Sequence, residues 1–177
     1  MSEKIGSGIG VPFPTNLSET IETGISDGYY YQFDIPDPRT ATGWIGGPLL
    51  HDGNTSTGYQ SLIGTAQRSM SIMISRDSGM TFDNFLLTPG FTQSIWISAA
   101  YGSNDLQSWT LLSFDGDSSI PVGSGSFTYY PNSIGISSSS LLGPYKHFVV
   151  QISDSGSPCQ VGCADVRIKN GGVEVGP

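Results

Sequence analysis

The chain has 177 residues, a length typical of one domain, and carries a formal net charge of −8 at pH 7 with only seven lysines and arginines. Binding to nucleic acid or to an anionic membrane needs a basic surface, so this charge balance argues against both classes of partner. The first residues lack a basic segment followed by an apolar one, and no run approaches the ~20 apolar residues of a membrane span. We therefore expect neither a signal peptide nor a membrane anchor.

The N-terminal segment, residues 1–27, is rich in Gly, Pro, Ser and Thr and has little apolar periodicity. Its best helical signal, residues 16–23, is followed by Gly24 and amounts to one or two turns at most. We predict an extended N-terminal arm over 1–27 that contacts another subunit, followed by one folded domain over 28–177.

After this arm, the chain reads as short strands. Residues 29–35 are aromatic and end at Pro36, residues 69–75 alternate between apolar and polar, and residues 92–101 place Ile95, Ile97, Ala99 and Tyr101 on one face. Further strands are predicted near 126–130, 133–137, 145–153 and 164–169, with a serine-rich loop at 137–140. About eight to ten short strands with frequent turns are typical of a β-sandwich, so the fold class is all-β, a single sandwich of jelly-roll or discoidin-like topology.

The segment Ser75–Phe82 (SRDSGMTF) resembles an Asp-box, in which Ser, Asp, Gly, Thr and a final aromatic residue recur at fixed spacing. We predict a hairpin turn in which Asp77 accepts backbone hydrogen bonds, Gly79 supplies a positive φ and Phe82 fills the core, with Ser75 and Thr81 completing the motif. In sialidase-like propellers the box is structural and recurs on several blades. Here it occurs once, so a structural turn is favoured and a glycan hydrolase is only a third hypothesis.

Two further segments are candidate ligand-binding sites. Asp115 and Asp117 place two carboxylates in one loop, and this pattern indicates either a Ca²⁺ site or an acidic turn. The spacing of an EF-hand is missing, which favours the acidic turn, and we expect no other cofactor. Tyr129 and Tyr130 precede Pro131 and are predicted to lie on a surface or in an interface.

Cys159 and Cys163 are the only cysteines, and no nearby histidine or second pair completes a metal site. They are therefore either free thiols or a small loop disulfide. The two histidines, His51 and His147, have no accompanying nucleophile-elbow motif. We predict no catalytic residues, no metal centre and no enzymatic activity.

The segment Gly102–Trp109 (GSNDLQSW) leads into the strand-like run WTLLSF, and Tyr145–Ser153 adds an aromatic-basic strand. Residues 95–153 thus resemble the C-terminal half of a discoidin-like (galactose-binding-like) β-sandwich. This resemblance implies a domain that binds surfaces, often glycans, without doing chemistry. It also implies that Trp109 packs inside the domain.

Two functions remain open. Charged residues make up only 12% of the chain, a composition typical of extracellular β-proteins, although no export signal is visible. A protein of a bacteriophage-like virion would explain both the composition and the missing export signal, because virion proteins are made in the host cytoplasm and act outside the cell. The first hypothesis is a homo-oligomeric decoration, fibre-base or tail accessory protein on the virion exterior that binds other virion proteins and can also bind a surface glycan. The alternative is a carbohydrate-binding module of a secreted or surface protein.

Overall fold

The computed structural model describes residues 24–54, 57–62, 64–89, 95–112, 119–120, 134–154 and 159–177. The strands are β1 (Gly28–Phe33), β2 (Ile45–Gly46), β3 (Tyr59–Gln60), β4 (Arg68–Pro89), β5 (Ile95–Ser103), β6 (Trp109–Leu111), β7 (Ser119–Ile120), β8 (Ile134–Asp154), β9 (Gly162–Asn170) and β10 (Val173–Glu174). Two short 3₁₀ helices, Pro38–Thr40 and Pro48–His51, lie between β1 and β3. Among these residues, no helix is long and apolar enough to cross a membrane.

The strands form one antiparallel sheet in the order β10-β9-β4-β8-β5-β6, with β1 beside β4. The long strands β4 and β8 pair with each other along most of their length. The first part of β4 lies between β1 and the second part of β8, while its last part lies between β9 and the first part of β8. The two parts of this strand pair therefore belong to two different layers.

The pair β4–β8 bends where the two layers meet. The register shifts between Ser75 and Met80, and again before Phe82 and Asn84. Gly79 has a φ of 79° on β4, and Gly143 has a φ of 106° on β8. Glycine adopts such values with little steric cost, so the bend lies where the backbone tolerates it.

Two sequence predictions are wrong here. Residues 75–82 do not form a hairpin turn, because 68–75 and 80–87 both pair with β8 within one continuous strand. Residues 137–140 do not form a loop, because they lie within β8. A positive-φ glycine between two apolar runs fits a β-bulge as well as a turn, and only the pairing partner distinguishes them.

The main core lies between the two layers. It includes Met70 and Ile72 from the first part of β4 and Phe82 and Phe85 from its second part, all fully buried. The rings of Phe82 and Phe85 meet that of Phe148 edge to face, with centroids 4.9 and 5.3 Å apart. Contact between side chains of the two layers makes the fold a β-sandwich, which confirms the predicted fold class.

Strand β5 contains a β-bulge between Ile97 and Ala99. As a result Ile97 packs against the main core, as does Ala100, whereas Tyr101 lies on the opposite face. The prediction that Ile97 and Tyr101 share one face is therefore wrong, because an extra residue in a strand reverses the alternation beyond it.

A second, smaller cluster covers the outer face of the first layer. Tyr30, Met73 and Val149 lie side by side on neighbouring strands and pack with Trp44. Two connections lie over this outer cluster: residues 34–44, which follow β1, and residues 103–109, which join β5 to β6. These two connections form the candidate site.

Of the predicted N-terminal arm, only residues 24–27 are described. Ile25 packs against the outer cluster, and the Tyr30 hydroxyl donates a hydrogen bond of 3.0 Å to the Ser26 carbonyl. The part of the arm before residue 24 lies outside the described residues, so its role in assembly stays a prediction.

Candidate functional site

Four predicted ligand-binding residues, Tyr129, Tyr130, Asp115 and Asp117, lie outside the described residues. A glycan contact at the tyrosines and a Ca²⁺ site at the aspartates therefore stay predictions. Among the residues that the structure does describe, no three histidine, cysteine or acidic side chains are grouped so that they could hold a metal ion.

The residues of the Asp-box-like segment have separate structural roles. Phe82 is fully buried in the core, as predicted, and Gly79 has the predicted positive φ. Asp77 is exposed: its backbone N–H donates to the Asp27 carboxylate, and its own carboxylate lies 3.9 Å from Lys146 Nζ. Thr81 is half-buried on β4.

Ser75 and His147 form a side-chain pair, with Oγ 2.9 Å from Nδ1. Burial, together with the nearby charge of Lys146, lowers the pKa of His147. Ser75 is only 1% exposed, so a substrate has no path to its hydroxyl. The pair therefore suits a structural contact between β4 and β8 better than nucleophilic catalysis.

Cys159 and Cys163 are not joined by a disulfide, so the disulfide alternative is wrong. Cys159 and Cys163 are buried, and burial raises the pKa of both. A buried thiol with a raised pKa is a poor nucleophile and a poor metal ligand.

The turn between β5 and β6 is held by hydrogen bonds to its own side chains. The Ser103 hydroxyl accepts from the N–H groups of Asp105 and Leu106, at 3.2 and 3.0 Å. The Asp105 carboxylate accepts from the N–H groups of Ser108 and Gln107, at 2.7 and 2.8 Å. These bonds to the charged form lower the pKa of Asp105. The turn thus presents Gln107 and Trp109 in a fixed arrangement.

The connection 34–44 forms the opposite wall. The Asp37 carboxylate accepts from the Arg39 guanidinium at 2.8 and 2.9 Å, and this pairing lowers the pKa of Asp37. The Arg39 guanidinium lies over the ring of Tyr101, 5.0 Å from its centroid, within the range of a cation–π contact. Gln32 Nε2 donates to the Thr42 carbonyl at 2.6 Å, which ties this connection to β1.

Between these two walls lies a cleft of about 260 Å³, here called the aromatic cleft. Its lining includes Arg39, Thr42, Trp44, Leu106, Gln107 and Trp109. Trp44 is 5% exposed and belongs to the outer cluster, whereas Trp109 is half-buried. Within the described part of the chain, the Trp109 indole N–H is buried and has no hydrogen-bond partner.

The discoidin-like resemblance implied that Trp109 packs inside the domain. Instead, Trp109 packs against the outer cluster, on the outer face of the first layer. The cleft itself could not be predicted from sequence, because Trp44 and Trp109 are far apart along the chain. Tryptophan rings can stack on sugar rings, but nothing in the spacing of Trp44 and Trp109 indicated that these two lie together.

Comparison with known proteins found likenesses among solved structures. A pectin-binding carbohydrate-binding module matches at 12% identity and a TM-score of 0.49, over 87% of this chain and 94% of its own. The family 32 module of NanJ from Clostridium perfringens, solved with galactose, matches at 12% identity and a TM-score of 0.49, over 79% of this chain and 92% of its own. Chitosan-binding module 1 from a Paenibacillus sp. IK-5 chitosanase/glucanase matches at 16% identity and a TM-score of 0.45, over 70% of this chain and 83% of its own.

No family model matches the chain, and no curated protein matches it. At these identities and TM-scores, the structural likenesses assign neither a family nor a ligand.

Proposed function

We propose that this chain is a non-catalytic carbohydrate-binding module of a secreted or surface protein, and that it binds a saccharide in the aromatic cleft. The proposal rests on one observation. Trp44 and Trp109 line the same cleft as two polar side chains, those of Arg39 and Gln107. Small-ligand sites combine an apolar or aromatic lining with a few placed polar groups in this way.

The chemistry of a sugar ring suits this lining. A pyranose has a face of C–H groups, which packs on an aromatic ring, and an edge of hydroxyls, which needs donors and acceptors. Gln107 offers both an amide donor and a carbonyl acceptor, while Arg39 offers donors alone. The cleft volume of about 260 Å³ lies just below the ~300–1,000 Å³ of pockets for drug-sized ligands, so it suits a single sugar ring.

The walls of the cleft are already ordered by internal contacts. Asp105 holds the turn that carries Gln107 and Trp109, and Asp37 holds Arg39. Binding to an ordered surface costs less conformational entropy than binding to a loose one.

The acidic residues of the two walls support binding without hydrolysis. Glycosidases need one carboxyl whose pKa is raised so that it can act as a general acid. The pKa values of Asp37 and Asp105 are instead lowered by hydrogen bonds to their charged forms. Neither residue therefore fits that role.

The test measures saccharide binding by calorimetry after a glycan-array screen that includes galactose, pectin and chitosan. For the best glycan, Trp109→Ala is expected to weaken binding roughly tenfold, because about 60 Å² of lost ring contact is worth roughly 1.5 kcal/mol. The matched control is Trp96→Ala, which removes a half-buried tryptophan of β5 outside the aromatic cleft. Equal losses in the two variants, or no glycan bound by the wild type, would refute the proposal.

The role on a virion exterior, with other virion proteins or further copies of this chain as partners, stays a prediction from composition. It does not compete with a glycan-binding cleft, because a protein on a particle surface can also attach to glycans.

A further inference from the structure

A second cleft, here called the polar cleft, lies on the same sheet as the aromatic cleft. It has a volume of about 320 Å³, and its lining includes Asp34, Ile35, Pro36, Ser98, Gln151 and Ser153. No aromatic side chain lines it within the described residues, so its character differs from that of the aromatic cleft.

Both clefts open on the outer face of the first layer. Val149, Gln151 and Ser153 alternate along β8, so their side chains share one face of the strand. Val149 packs in the outer cluster with Trp44, whereas Gln151 and Ser153 line the polar cleft. Ser153 lies four residues after Val149 on the strand, roughly 13 Å away at the rise of a β-strand. The connection 34–44 contributes to both clefts.

One wall of the polar cleft is a rigidly held carboxylate. Asp34 accepts hydrogen bonds from Arg68 Nε at 3.1 Å and from the Ser69 N–H at 3.2 Å, and its second oxygen lies 2.6 Å from Arg68 Nη2. Its φ is 56°, a left-handed conformation that few residues other than glycine adopt. The Asp34 side chain is 39% exposed, so its oxygens still face solvent and can accept further hydrogen bonds.

The floor of the polar cleft is a chain of hydrogen bonds. Gln151 Nε2 donates to the Ile35 carbonyl at 2.7 Å, and Gln151 Oε1 accepts from the Ser98 hydroxyl at 3.2 Å. The Ser98 oxygen in turn accepts from the Ser153 hydroxyl at 3.0 Å. The Ser98 hydroxyl also lies 3.2 Å from the Gln151 backbone carbonyl oxygen, so several contacts hold the exposed Ser98 side chain in place, while Ile35 and Pro36 add an apolar edge.

We propose that the polar cleft is a second saccharide subsite and that it takes a neutral or cationic sugar. The proposal rests on the proposed function, from which it takes the class of ligand. The cleft offers oriented oxygen acceptors for sugar hydroxyls or an amino group, and an apolar edge for the ring. Its basic group, Arg68, is paired with Asp34, and the chain carries a net charge of −8, so an acidic sugar is disfavoured.

The experiment is an NMR titration of the ¹⁵N-labelled full chain. The probes are oligomers of galactose, which are neutral, of glucosamine, which are cationic, and of galacturonic acid, which are acidic. The Gln151 side-chain amide reports on the polar cleft, and the Trp109 indole N–H reports on the aromatic cleft. We expect neutral or cationic oligomers to shift both signals.

Two variants locate the effect. Asp34→Asn keeps a residue type that tolerates a left-handed backbone, and Ser98→Ala removes one hydroxyl. Each variant is expected to raise the dissociation constant measured at the Gln151 signal about fivefold, the effect of losing one hydrogen bond. The dissociation constant measured at the Trp109 signal should stay unchanged. Ser140→Ala, at an exposed serine of β8 that does not line the polar cleft, is the matched control and should change neither.

The two proposals fail in different ways. A shift at Trp109 with none at Gln151 would overturn the second subsite and keep the proposed function. A shift at Gln151 alone would keep this subsite and overturn the aromatic cleft. A response at Gln151 to the acidic oligomers only would overturn the ligand class, and silence at both signals would overturn both proposals.

Discussion

Two residues with an unusual backbone lie at the two clefts. Among the described residues, Asp34 and Leu106 are the only ones other than glycine with a positive φ, at 56° and 61°. Asp34 lines the polar cleft, and Leu106 lines the aromatic cleft. Such conformations cost about 1–3 kcal/mol and tend to occur at functional sites. Both positions agree with the two proposals.

The two glycines at the bend allow a first prediction. Gly79→Ala is expected to lower the free energy of unfolding by about 1 kcal/mol, because its φ of 79° strains an L-residue although the new Cβ would have an ordinary contact of 3.6 Å with Pro144. Gly143→Ala is expected to cost at least about 2 kcal/mol, because its Cβ would lie 2.4 Å from the Met80 carbonyl oxygen. Denaturant unfolding measures both.

Gly24→Ala is the control, since a Cβ there would meet nothing within 4 Å. It should change stability by less than about 0.5 kcal/mol. If Gly79→Ala proved as harmless as Gly24→Ala, the bend would not need a left-handed residue at position 79.

Among the elements, the turn between β5 and β6, which forms one wall of the aromatic cleft, is hydrogen-bonded to β8 at its bend. Asn104 Nδ2 donates to the Pro144 carbonyl at 3.2 Å, and Asn104 Oδ1 accepts from the Lys146 N–H at 2.9 Å. The ring of Tyr145 lies against Gly102, where an added Cβ would approach it to 2.5 Å. The position of the cleft wall therefore depends on the bend.

A second prediction concerns the two hydrogen bonds between Asn104 and β8. Asn104→Ala removes both hydrogen bonds and is expected to cost about 1 kcal/mol, a modest figure because the side chain is exposed. Asn104→Asp keeps the acceptor for the Lys146 N–H and loses the donor to Pro144, so it should cost less. Thermal unfolding ranks the variants.

Gln107→Ala serves as the comparison, because it removes an exposed amide from the same turn. Stability equal to the wild type is expected for it. A loss for Asn104→Ala no larger than that for Gln107→Ala would show that Asn104 does not hold the turn.

For the whole molecule, the half-buried Tyr29 and the fully buried Tyr59 make stability depend on alkaline pH. Burial raises the pKa of Tyr29 from 10.0 to about 12, with a further contribution from the negative charge of Glu174. Burial also raises the pKa of Tyr59 from 10.0 to about 12, and its ring stacks on that of Tyr31 at 4.2 Å between centroids. The folded chain thus holds these protons more tightly than the unfolded chain does.

A third prediction gives the sign of this dependence. The contribution of the two tyrosines to stability is complete below pH 10 and is lost as the pH rises from 10 towards 12, because the unfolded chain loses the protons first. The denaturant midpoint should therefore fall between about pH 9 and about pH 11.5. The denaturant midpoint of the double variant Tyr29→Phe with Tyr59→Phe should fall less over the same pH range. A slope as steep as that of the wild type would contradict the assignment.

The fold class could be predicted from the sequence, because the alternation of apolar residues and the spacing of turn residues are local properties of the chain. The sequence also identified Gly79 as a residue with positive φ and Phe82 as a core residue, since the motif contains both. It suggested glycan binding through the discoidin-like resemblance, and the candidate ligand-binding residues Tyr129 and Tyr130 lie outside the described residues.

The pairing and packing of these elements became visible only in the folded chain. Whether residues 75–82 form a hairpin or a bulged strand depends on their pairing with β8, which is distant in sequence. The bulge in β5 reverses which side chains face the core, and no local pattern announces it. The aromatic cleft joins residues 39–44 to residues 106–109 across the outer face of the sheet. Contacts of this kind arise from long-range packing, so local sequence patterns do not predict them.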